Sequence, residues 1–216
     1  MNNIEALAHQ AVFGTAAKKQ AARFEIWQLG IEAGIIPSSI HDLYIARGQG
    51  KLPNDFTVPA MNLRGMVYET ARAVFQSAKK NNVGALICEI ARSEMGYTAQ
   101  PPAEYVAIVT AGALREGWSG PLFIQGDHFQ AKAAAPGKPK EGEIETIQKL
   151  ITEAIGAGFY NIDIDMSTLV ELDKPEEAEQ QVPNYTYSAQ LAKLVRSLEP
   201  KGVTVSLGAE IGRAHV

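Results

Sequence analysis

The chain has 216 residues, 46% of them hydrophobic, with 20 basic against 24 acidic side chains and a formal net charge of -4. Those totals exclude a disordered chain and supply no electrostatic footprint for nucleic acid or an anionic membrane, so a small-molecule partner is expected. The single cysteine, Cys88, lies in the apolar run VGALICEI and cannot form an internal disulfide. The N-terminus MNNIEALAHQ lacks a basic region followed by an apolar stretch, and no apolar run approaches the ~20 residues of a membrane helix. A cytoplasmic location is the expectation.

Residues 1–54 read as an N-terminal helical arm. The segment IEALAHQAVFGTAAKKQAARFEIWQLGIEAGII is rich in Ala, Gln, Lys and Glu and meets no proline until Pro37. PSSIHDL offers Ser38 or Ser39 as the cap of a further short helix, and ARGQGKLPND reads as a loop.

From Asp55 onward short apolar runs alternate with amphipathic segments, the pattern of β/α units. The expected strands are 56–61, 85–89, 121–125, 160–165 and 203–207, and the expected helices are 64–80, 103–116, 143–157 and 185–198. In the third helix Ile144, Ile147, Leu150, Ile151, Ala154 and Ile155 form one stripe, as in a helix resting on a sheet. REGWSGP and GAGFYN place glycine where a helix end requires a left-handed residue. Five β/α units fit either a doubly wound sheet or an incomplete (β/α)8 TIM barrel, and no GxGxxG or GxxxxGK[ST] motif favours a nucleotide fold.

Polar residues gather at the strand ends: Asn62 and Arg64, Glu89 and Arg92, Asp127 and His128, Asp163 and Asp165, then Glu210. In a barrel such ends converge on one face. Asp127 and His128 read either as a proton-transfer carboxyl beside a metal-ligating imidazole, or as an aspartate capping a turn that a hydrogen-bonded histidine begins. Asp163 and Asp165, two apart on a strand, share a face and need a cation, a basic group or a proton between them. Alternatively, one of them caps the next turn with Ser167 or Thr168.

The segments FTVPAMN, GDHFQ, GAGFYNIDIDMS and VSLGAEIG, in that order, resemble the class II, zinc-dependent fructose/tagatose-bisphosphate aldolases over roughly 56–210. The resemblance implies a TIM barrel and a Zn2+-dependent lyase cleaving a phosphorylated ketose into glycerone phosphate and an aldehyde. By the same resemblance Asp127 is the catalytic acid/base and His128 and Glu210 lie at the metal, with Asn62, Asp165 and Ser167 at the substrate or behind the ligands. A homo-oligomer is expected at full length. Two positions depart from the family: Ala91 where a serine is common, and Gly208 where many members carry glutamate. The family's other zinc histidines and phosphate loops follow strands six to eight, so this chain reads as an inactive, aggregation-prone fragment with an open strand edge. The closing IGRAHV matches the translation of a common sequencing-library adapter, so 211–216 are expected to be non-native and His215 to have no function. Two alternatives are a non-catalytic subunit like that of tagatose-bisphosphate aldolase, supporting a partner enzyme, and a barrel that binds a sugar phosphate without cleaving it.

Overall fold

The computed structural model describes residues 4–212. His215 and most of the segment expected to be non-native lie outside them. The chain is a mixed α/β protein around a six-stranded sheet whose pairings are all parallel.

Two helices open it, α1 (Ile4–Phe13) and α2 (Ala16–Glu32), separated at Gly14 and restarted by Thr15, whose side chain accepts from the Lys18 N–H. The arm does not stay helical. Gly34, at φ +79°, turns the chain into strand β1 (Ile35–Ser38), which pairs with a strand more than eighty residues later. After α3 (His41–Gly48) come β2 (Ala60–Asn62), α4 (Val67–Lys80), β3 (Ile87–Ala91), the short α5 (Arg92–Thr98) and α6 (Pro102–Arg115). Strand β4 (Gly120–Asp127) is followed by a hairpin of β5 (Ala133–Ala135) and β6 (Lys138–Pro139). Helix α7 (Glu143–Ala157), β7 (Asn161–Ile164), a 3-10 turn at Ser167–Leu169, α8 (Glu177–Gln180), α9 (Val182–Leu198) and β8 (Ser206–Ala209) complete the described chain. Helix α7 matches its expected limits, and Gly117 and Gly158 adopt the left-handed conformation at the two helix-to-strand turns.

The strand order is β2-β3-β4-β7-β8, with β1 also on β4. Residues 123–127 of β4 pair with β3, while 120–123 pair with β1 and 125–126 with β7. Because β3 pairs with Phe123 opposite β1 and with residues 125–126 opposite β7, β1 and β7 must share the other edge, end to end. Buried Asn161 seals their junction: Oδ1 accepts from the Ile40 N–H at 2.9 Å, and Nδ2 donates to Ile124 O at 3.0 Å and Ser38 O at 3.2 Å. Strand β1, which lies in the segment expected to be a helical arm, joins β4 outside that order, and the described strands form an open sheet rather than a closed TIM barrel; the fold shown is an α/β protein with a parallel sheet.

Helices cover one face, where α4 packs on α6, α6 on α7 and α7 on α9. Cys88, Ile90, Leu122, Ile124, Ile162 and Ile164 point into that layer. On the other face the period of two creates rows. At the bottom Ile87 and Phe123 meet Ile40 and Leu43, so α3 closes that end. One step up, the register aligns Asn62, Glu89, Gln125, Asn161 and Ser206 across five strands. Above them come Ala91, Asp127, Asp163 and Gly208. The face therefore passes from apolar to polar to acidic toward the carboxyl ends of the strands.

Candidate functional site

The acidic row opens at the carboxyl end of the sheet, where β4 turns sharply. His128 has φ +44°, a left-handed conformation unusual for a residue with a side chain. The turn is held from below: Phe129 is fully buried, and a Cβ on Gly126 would lie 2.4 Å from its ring, so the glycine is required by that packing. The next backbone bonds run to β7, with Phe129 N–H donating to Asp163 O at 3.0 Å and Ala131 N–H to Asp165 O at 2.9 Å. Asp127, His128 and the β7 carboxylates are thus joined by main chain before any side chain acts.

One ligand atom each from Asp127, His128 and Asp163 lies within 4.8 Å of the others. His128 Nε2 is 3.8 Å from Asp127 Oδ1, and Nδ1 is 3.7 Å from Asp163 Oδ2. Nδ1 also faces Asp165 Oδ2 at 3.2 Å, so a carboxylate can hold the Nδ1 proton and leave Nε2 as the free electron pair. The 3.8 Å between Nε2 and Asp127 Oδ1 suits two ligands on one coordination sphere of radius about 2.0–2.2 Å. One imidazole and two carboxylates form a donor set that fits a divalent cation.

Asp165 itself is saturated. It is 1% exposed and accepts from Gln130 Nε2 at 2.6 Å, from Ser167 Oγ at 2.6 Å and from Ser167 N–H at 3.0 Å, besides its contact with His128. Asp165 and Ser167 therefore cap the turn after β7 and orient the imidazole. Asn62, reaching from β2, donates through Nδ2 to Asp127 Oδ2 at 2.8 Å and to Glu94 Oε2 at 3.1 Å. Glu210 is exposed and lies outside the group of three, although its charge acts on Asp163. Of the expected site residues, the fold brings together Asn62, Asp127, His128, Asp165 and Ser167, with Asp163 beside them.

Electrostatics at the mouth favour bound protons or a cation. Burial, then the charges of Glu210 and Asp165, push Asp163 up to about 6, and burial followed by Asp127 pushes Glu89 up to about 7. Burial works against a charged imidazole at His128, but Asp127, the Asp165 hydrogen bond and Asp163 outweigh it and raise its pKa. Glu94, also resisted by burial, is held below the usual range by the Ala91 N–H, Arg64 and Asn62. Glu94 and Gln125 were not singled out in the sequence; the signal was period two, since LFIQGD puts Gln125 and Asp127 on one side of a strand.

Comparison with known proteins adds a fold-level likeness. No family model and no curated protein matches the chain. Among solved structures it resembles a probable tagatose 6-phosphate kinase from Sinorhizobium meliloti 1021, with 18% identity and a TM-score of 0.51. The match covers 72% of this chain and 40% of that one. This corrects the reading of the chain as a zinc-dependent class II aldolase, together with its silent-subunit alternative: the matched structure is named as a kinase, a transferase rather than a lyase. The motifs misled because each is a short strand-end pattern, of a kind that any parallel sheet with a polar mouth can carry. Among the described residues no helix is long and apolar enough to cross a membrane.

Proposed function

We propose that the mouth of the sheet holds a divalent cation between Asp127, His128 and Asp163 and there binds a phosphorylated sugar. The observation that carries this reading is the convergence of those three ligand atoms within 4.8 Å at the carboxyl ends of parallel strands. A phosphate approaching Asp127, Asp163 and Glu210 without a cation meets like charge; a bound cation supplies the opposite charge and a Lewis acid. Asn62 and Asp165 orient the donors, and Gln125 and Ser206, one row below, offer hydrogen bonds to sugar hydroxyls. The name of the matched kinase supports phosphoryl transfer to a sugar hydroxyl as the reaction class, with a carboxylate of the mouth accepting the hydroxyl proton.

The sheet fits part of a barrel wall in this proposal. Strands β2, β3, β4, β7 and β8 follow one another in chain order beneath a single helical layer, as successive β/α units of a barrel do.

Titration calorimetry with Mg2+, Mn2+ and Zn2+ tests the cation, followed by titration of fructose 6-phosphate with and without the bound ion. The expected result is one saturable cation site, lost in Asp163→Ala and in His128→Ala, and sugar-phosphate binding only when the ion is present. Turnover is then read as ADP release from ATP and the sugar phosphate. Cation binding that survives both substitutions overturns the site; cation-independent sugar binding overturns its role.

A further inference from the structure

A second cavity, of about 640 Å3, lies between α1, α4 and α6, where Val12, Phe13, Val67 and Ile108 give it an apolar wall. Its three acids are each ion-paired: Glu5 with Arg115 at 3.3 Å, Glu69 with Arg72 at 2.8 Å and Glu104 with Arg23 at 2.6 Å. The surroundings therefore suit a neutral occupant. Two other lining side chains carry buried polar atoms with no hydrogen-bond partner among the described residues, the Tyr68 hydroxyl and Gln100 Oε1. Gln100 is 8% exposed. Burial followed by the charge of Glu5 raises the Tyr68 pKa, so it remains a neutral phenol.

Buried polar groups without partners are rare in folded proteins, and two on side chains that line one cavity point to a shared ligand, toward which small side-chain rotations would turn them. The volume is that of a small-molecule site. We propose that this cavity binds a neutral, mainly apolar small molecule carrying one amide or hydroxyl group. Its N–H or O–H donates to Gln100 Oε1, its oxygen accepts from the Tyr68 hydroxyl, and its body packs on Val12, Phe13, Val67 and Ile108. The last side-chain torsion of glutamine has a broad minimum, so the Gln100 carbonyl can turn toward the ligand at little cost.

Benzamide, which joins an aromatic body to an amide, is a suitable probe. The full chain, labelled with 15N, is titrated with it, and both the Gln100 side-chain amide and the backbone of α1, α4 and α6 are followed by NMR. Saturable shifts at those positions are expected, with a Kd of about 1 mM or tighter. Binding should weaken about tenfold in Gln100→Leu and in Tyr68→Phe, each of which removes one hydrogen bond. Tyr68→Phe keeps the ring, so it remains informative should Gln100→Leu fail to fold. Shifts confined to other regions, no saturation, or equal affinity in the folded variants overturn the proposal and leave water as the partner of the two atoms.

Discussion

The Asn62 amide reaches Asp127 Oδ2, at 2.8 Å, from a strand that is not its neighbour. Strand β3 runs between them, and the residue of β3 in register with Asp127 is Ala91. A methyl group there leaves the space over which Asn62 extends, and the same amide also donates to Glu94. Ala91 thus has a local use. Asn62→Leu should weaken divalent-cation binding by about tenfold or more, because it frees a ligand carboxylate to turn, with little change in melting temperature. Calorimetric titration of the variant reads this directly; unchanged affinity would show that Asp127 needs no such support.

Asp165 should matter more to the fold than to ligand binding. Its carboxylate accepts from Gln130, from both Ser167 donors and from the side of His128, at 1% exposure. Asp165→Asn turns an N–H2 toward these donors and is expected to cost about 3 kcal/mol in urea unfolding. A loss below about 1 kcal/mol would mean that the turn has another anchor.

At Gly126 a methyl group would lie 2.4 Å from the Phe129 ring. Gly126→Ala is expected to destabilise the protein by about 2–3 kcal/mol, and adding Phe129→Leu should recover part of that loss. Additive losses in the double variant would place the strain elsewhere.

Glu89 gives a pH dependence of definite sign. Its folded pKa is raised from 4.5 to about 7, chiefly by burial and then by Asp127, so between those values the folded state holds a proton that the unfolded state releases. The associated stability is complete below the unfolded value and is lost as pH rises through about 7. Stability should therefore decline between about pH 5 and pH 8, and Glu89→Gln should reduce that decline by on the order of 2 kcal/mol. Denaturation midpoints at the two pH values decide it, and parallel pH profiles for the two proteins would refute the assignment to Glu89.

Local pattern made some elements readable and not others. Helix α7 declares itself because its isoleucines repeat at helical spacing between two glycines that the backbone uses, Gly142 and Gly158. Strand β1 was hidden, since Ile35 and Ile36 continue a helical composition and only the distant edge of β4 makes them a strand. The run FTVP looked like a strand, yet β2 begins after Pro59, a residue without an N–H that contributes only its carbonyl, to Ile87. Helix α5 is too short to show a period. At the mouth, the Asp-His pair and the DID alternation were legible one strand at a time. The convergence of Asp163 with Asp127 and His128 depends on register and on the turn after β4, neither of which a single strand encodes.

The end-to-end seating of β1 and β7 along one side of β4 makes the opening segment a splint for the strand that bears Asp127. Cutting the chain after Ile40 would strip the amino half of that strand of its neighbour and leave the Asn161 carboxamide bridging to nothing on one flank. The leading helices and the chemistry at the far rim are consequently one mechanical unit, and a truncation designed around the β/α repeats alone would damage the rim it was meant to isolate.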